Sequence, residues 1–148
     1  MKHNNRWAPF VILTIAAVLL VGCAQTEAGA ASKEEPVRLE AMAGTDFNMI
    51  TLTGQAAQRL DIQTEAAREE QVQAETRLVV PYSAVLYGLN GETWVFVNPA
   101  PLTYHRQPIT IDFIEGNIAA LSRGPSPGTE VVTVGVAELY GVDTGVGQ

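Results

Sequence analysis

The run Ser83-Ala84-Val85-Leu86-Tyr87-Gly88-Leu89-Asn90-Gly91-Glu92-Thr93-Trp94-Val95-Phe96-Val97 narrows the fold more than any other part of the sequence. Two β-rich stretches flank Gly88 to Gly91, and the Asn90-Gly91 pair supplies the positive φ values that a tight hairpin turn requires. The second stretch places Val95 and Val97 on one face and Trp94 and Phe96 on the other, so both faces are apolar. Burial on both sides in a closed roll is the ordinary expectation for such a strand. The sharper alternative makes Trp94 and Phe96 a docking surface.

Other segments extend the pattern. Phe47, Met49 and Thr51 alternate against Ile50, and Ile109, Ile111 and Phe113 alternate against Thr110 and Asp112. Pro108 cannot donate to a ladder, which predicts an edge or a bulge there. Asn117 to Leu121 reads as a further short strand, Arg123 to Glu130 as a turn-rich connection, and Val131 onward as an extended run finishing in a helical turn. Between Thr53 and Asp61, Ala56, Ala57 and Leu60 fall at helical spacing behind a capping threonine. Short strands at close intervals predict a mainly β domain, a small roll or barrel with one short helix. The expected organisation is a leader over residues 1–22, a flexible tether over 23–46, the β domain over 47–141 and a frayed tail over 142–148.

The leader expectation rests on Lys2 and Arg6 preceding the apolar run from Phe10 to Gly22, the layout of a secretory signal. As a helix that run would extend only about 20 Å, against a hydrocarbon core of about 30 Å. It ends at Cys23, the single cysteine of the chain. A lone thiol exported to an oxidising compartment has no disulfide partner, which leaves its purpose to be found elsewhere. Loss of the leader removes Lys2 and Arg6 from a chain already at −7, taking the remainder to −9. Nucleic acid is a poor partner for such a surface. About 126 remaining residues suffice for one domain with a modest core.

The residues for catalysis are sparse. His105 is the only imidazole after His3, and the chain has no second cysteine, no HExxH, no nucleophile elbow and no phosphate loop. Ser83, His105 and Asp112 can be drawn as a triad only because any chain of this size contains one of each. The expectation is a non-enzymatic protein with no cofactor and no dedicated metal. Met42 and Met49 are the alternative, a pair of soft ligands for Cu(I) in an envelope metal-binding lipoprotein.

Two resemblances organise these readings. Leu20-Val21-Gly22-Cys23 resembles the lipobox of bacterial lipoproteins, which implies cleavage before Cys23 and lipidation of its thiol. Stable anchoring then takes two or more acyl chains. Leu78 to Pro81, Ser83 to Leu86, the hairpin through Val97, Pro108 to Ile111, Pro127 to Val132 and Ala137 to Gly141 resemble the membrane-proximal domain of periplasmic adaptor subunits, the membrane fusion proteins of tripartite efflux pumps. Ile50 to Val72 resembles the stretch near the start of heavy-metal-type adaptors that enters the same domain. In that family a β-barrel, a lipoyl-like domain and a helical hairpin separate the two blocks. Here Glu69 and Arg77 leave no room for them.

The resemblance therefore implies one membrane-proximal roll with its insert reduced to a turn. It also implies a lipid-anchored accessory of an efflux transporter, facing the periplasm or the extracellular side. Its partner would be a permease or a full-length adaptor, and a homo-oligomer is compatible with it. Expected contacts are the turn residues Leu89, Asn90, Gly91 and Glu92, and Gly124, Pro125, Ser126, Pro127 and Gly128 of the second connection. Trp94 and Phe96 join them if their face is exposed. A decayed adaptor without activity is the remaining alternative.

Overall fold

A computed structural model describes residues 35–145. The leader and the lipobox through Cys23 lie outside the described residues. Among the described residues eleven strands form two antiparallel sheets with helices against one of them. The large sheet has the order β1 (Val37–Ala41), β2 (Asn48–Leu52), β8 (Thr103–Pro108), β7 (Thr93–Ala100), β11 (Glu130–Val134), β3 (Gln63–Ala66). The two-residue β6 (Leu86–Tyr87) pairs β7 at Thr93 and Trp94, and β11 pairs it further along at Val97. The small sheet is β4 (Arg68–Val72), β5 (Glu75–Pro81), β10 (Ile118–Arg123), β9 (Thr110–Glu115).

Alternation along the strands sorts side chains into two principal layers. Val80 of β5, Ala119 and Leu121 of β10, Val95 and Val97 of β7 and Val131 of β11 fill the space between the sheets. Each fully buried Val or Leu there contributes about 1.5–3 kcal/mol relative to exposure. On the other face of the large sheet, Ile50, Leu52, Phe96, Tyr104 and Val132 pack against Ala56 of α1 (Gly54–Arg59) and Leu139 of α2 (Val136–Thr144). The two apolar faces of β7 are thus both covered, and the arrangement is mainly β without a closed barrel.

Local chemistry sets the connections. The Thr53 side chain accepts from Ala56 N at 3.2 Å, the N-cap expected from the sequence. The chain changes sheets at two corners. Ala67, between β3 and β4, donates to Thr129 O at 2.8 Å and accepts from Gly128 N at 2.7 Å. Ile109, between β8 and β9, donates to Thr93 O at 3.0 Å. Pro108 falls at this second corner, so its missing N–H costs the interior strand β8 no bond within its length.

Four expectations are corrected. The tether does not extend to residue 46, because Val37 to Ala41 pair with Leu52 to Asn48. The end of the domain is not frayed from 142: α2 runs through Thr144, and Asp143 is buried. The segment after Gly135, expected to finish in a helical turn, continues as a full α-helix through Thr144. Gly135 has φ +88 and a Cβ there would lie 2.2 Å from Ile62 Cδ1, so both backbone and packing demand glycine where β11 turns into α2. Finally, Asn90 does not take the positive φ expected of the Asn90-Gly91 pair in the β6–β7 turn. Gly91 alone is left-handed, Gly91 N donates to Gly88 O at 3.2 Å and Gly88 N to Glu92 O at 2.8 Å, giving a three-residue loop, Leu89 to Gly91.

The two-residue turn is elsewhere. Val72 pairs with Glu75 across Gln73 and Ala74, whose φ values of 54° and 68° are those of a primed hairpin turn built without glycine.

Candidate docking surface

The β6–β7 loop projects Leu89 into solvent with 99% of its surface exposed, and Tyr87 beside it is 51% exposed. The loop is braced from within. Glu92 accepts from Asn90 N at 3.1 Å and from Asn90 Nδ2 at 3.2 Å. Its own amide first, and then Asn90, hold its carboxyl below the usual carboxylate range. The hydrogen bond that the Tyr87 hydroxyl donates to Tyr82 is the first cause of its raised pKa, ahead of burial. A Cβ on Gly88 would lie 2.5 Å from the Trp94 ring, so glycine lets that ring close under the loop. The apolar tip is therefore held on a rigid base.

Trp94 is half-buried, and Phe96, two residues on, is completely covered. Phe96 is thus removed from the expected contact set, because α1 and α2 cover its face. Trp94 keeps an exposed part. Of the second connection, Ser126, Pro127 and Gly128 are exposed, Gly124 is half-buried and Pro125 is fully buried, so Pro125 is also removed. The two turns sit at different levels along β7. The first leads into it at Thr93, whereas the second leads into β11, whose Val131 lies opposite Val97.

Below Trp94 lies a cluster that sequence reasoning missed. Arg106 of β8 pairs through Nε with Oδ2 of Asp143 on α2, with 10% and 0% of their side chains exposed. Asn48 donates to Asp143 Oδ1 from its amide at 3.2 Å and from Nδ2 at 2.9 Å, and again from Nδ2 to Asp143 O at 3.1 Å. The Arg106 guanidinium stands 4.6 Å from the Phe47 ring centroid, 5.2 Å from Trp94 and 5.5 Å from Tyr140. Phe47 and Trp94 meet edge to face at 6.3 Å. One buried cation thus ties α2, the start of β2 and the base of the exposed loop together. No local sequence pattern joins residues 48, 106 and 143, so no signal could have found the cluster.

The drawn triad is not assembled. Ser83 is exposed in a single 3-10 turn (Tyr82–Ala84), Asp112 on β9 accepts from Arg77 at 2.9 Å, and His105 Nδ1 is buried without a hydrogen-bond partner. Burial lowers the His105 pKa, partly opposed by the charge of Asp143. Met42 and Met49, expected in or beside a mobile tether, belong to the ordered β1–β2 hairpin: Met42 N donates to Phe47 O at 3.0 Å and Met49 lies opposite Glu40. Among the described residues no group of three or more His, Cys, Asp or Glu side chains is gathered as a metal would need, and no helix is long and apolar enough to cross a membrane. No family model, no curated protein and no solved structure matches the chain.

Proposed function

We propose that this chain is a lipid-anchored, non-enzymatic adaptor-like module that docks on the extracytoplasmic side of an efflux transporter or on that transporter's adaptor. The observation that supports the reading is the interleaving of the two sequence blocks that resemble the adaptors' membrane-proximal domain. β2 of the first block pairs with β8 of the second, β3 pairs with β11, and the turn Gln73-Ala74 joins them where the family has its long insert. Such a unit keeps a transporter-facing surface while lacking the parts that reach an outer-membrane channel. The exposed Leu89 loop on its braced base supplies an apolar contact of the kind that loops on rigid scaffolds present. Lipidation at Cys23 would hold it beside membrane-embedded partners and raise its effective concentration, so that a small interface suffices.

The test is photo-crosslinking in cells from Asn90 and from Ser126, followed by mass spectrometry. The expected result is recovery of a transport component from Asn90, with less recovery when Cys23→Ser releases the protein from the membrane. Recovery of only bulk envelope proteins from both positions, with unchanged drug and metal tolerance on deletion, would overturn the pump association.

A further inference from the structure

A groove of ≈ 540 Å³ lies where β9 leaves β7, lined by Tyr87, Glu92, Trp94, Pro108, Thr110 and Ile111 among others. Its two walls come from different sheets. Ile109 N donates to Thr93 O at 3.0 Å and the Thr93 hydroxyl donates to Ile109 O at 3.0 Å, which closes the inner end. Past Ile109 the chain swings into the small sheet and pairs only with β10, so among the described residues no strand lies beyond β9. The β6–β7 loop meanwhile stays with the large sheet. The result is a wedge with apolar walls and an edge of unpaired backbone donors and acceptors running out of it.

Such an edge is a template for another strand. β9 is also apolar for an edge, with Ile111 and Phe113 partly buried and Ile114 45% exposed. Charge decides between two occupants. Antiparallel pairing of β9 with β9 of a second copy, in the register that sets Phe113 opposite Ile114, would put Asp112 of each copy opposite Glu115 of the other, and like charges directly opposite are destabilising. The only charged residue lining the groove is Glu92, and the chain as a whole is at −7. A segment with apolar residues on one face and Lys or Arg on the other fits both the walls and the field.

We propose that this groove receives an extended, basic and apolar segment of a partner protein, which adds a strand to the free edge of β9. Main-chain hydrogen bonds to β9 supply the pairing. One inward side chain fills the space between Trp94 and Ile111, and a flanking cation meets Glu92. The inference rests on the docking function proposed above and specifies the chemistry of the partner.

The probe is a fluorescein-labelled, end-capped octapeptide, Lys-Val-Thr-Val-Lys-Val-Thr-Val, titrated by anisotropy into the full chain in detergent, alongside a version with Glu in place of Lys. Hydrogen exchange by mass spectrometry reads β9 directly. Saturable binding of the Lys peptide is expected, with slowed exchange confined to residues 110–115 and the β6–β7 loop. The Glu peptide should bind about tenfold more weakly. Glu92→Lys, an exposed change that leaves the core untouched, should narrow that preference about threefold or more. Absence of saturable binding, protection elsewhere in the domain, or a preference indifferent to Glu92→Lys overturns the proposal. So does concentration-dependent self-association of the chain without peptide that protects β9, since a second copy would then be the occupant. Neither transporter nor membrane enters these measurements. Failure here with successful crosslinking from Asn90 sinks the groove alone, and the reverse outcome sinks the pump association alone.

Discussion

Arg106 and Asp143 show how much can rest on residues that look ordinary in isolation. Asp143 lies in a stretch rich in glycine and valine near the chain end, yet its carboxylate is wholly covered and engaged by Arg106 and Asn48. Removing one member of a buried pair leaves the other charge uncompensated, which costs about 3–5 kcal/mol. Asp143→Ala should therefore lower stability by that amount in urea unfolding, while Arg106→Met with Asp143→Leu, which removes both charges, should recover most of it. A loss below about 1 kcal/mol for Asp143→Ala, as for an exposed pair, would show that the pair is solvated. His105 gives a second expectation. Its folded pKa lies below the ordinary imidazole value of about 6.5 because burial disfavours the charged ring. The unfolded chain then binds the extra proton first, so stability falls as pH drops below about 6.5 and levels off beneath the folded pKa. His105→Gln should flatten that limb between pH 7 and 5, and an unchanged slope would remove His105 as its source.

At the scale of elements, the strands were legible where apolar alternation was clean and the turn residues were conventional. The β6–β7 hairpin and the capped α1 follow from Gly91 between two apolar runs and from Thr53, by local chemistry. The turn at Gln73-Ala74 was not legible, because neither residue favours the left-handed region that both occupy. L-residues there cost roughly 1–2 kcal/mol each, so the pairing of β4 with β5 must hold the turn in place. Gln73→Asn with Ala74→Gly should accordingly stabilise the protein by about 1 kcal/mol, after the greater freedom of glycine in the unfolded chain is allowed for. Ala74→Val should destabilise it by at least as much. A shift of the urea midpoint in the opposite direction for either change would mean that the turn is not of this type. β1 escaped the sequence reading for a different reason: Val37 to Ala41 is a mostly exposed edge strand, and its only specification is the register of β2 beside it.

On the scale of the whole molecule, neither sequence block is a unit by itself. The segment ending at Val72 supplies β2 and β3, which flank β8 and β11 of the second block, and it supplies α1 over Phe96. A fragment from Glu75 onward would expose the faces of Tyr104 and Val132 that β2 and α1 now cover. It should aggregate when expressed alone and regain cooperative unfolding when the complementary fragment from Glu35 to Ala74 is added. Cooperative folding of the second fragment by itself would refute this dependence.

The mainly β class, the hairpin at Leu86 to Val97 and the N-cap at Thr53 were determined by the sequence alone, because periodicity, turn chemistry and capping act over a few residues. The coverage of Phe96, the burial of Pro125 and the gathering of Asn48, Phe47, Trp94, Arg106, Tyr140 and Asp143 were decided only by the tertiary structure. The groove beside β9 belongs with them, since its walls meet only because β8 and β9 part into different sheets at Ile109. Burial and long-range charge pairing depend on which elements become neighbours, and contacts such as Asn48 with Asp143, 95 residues apart, are set by chain topology, on which no local pattern reports.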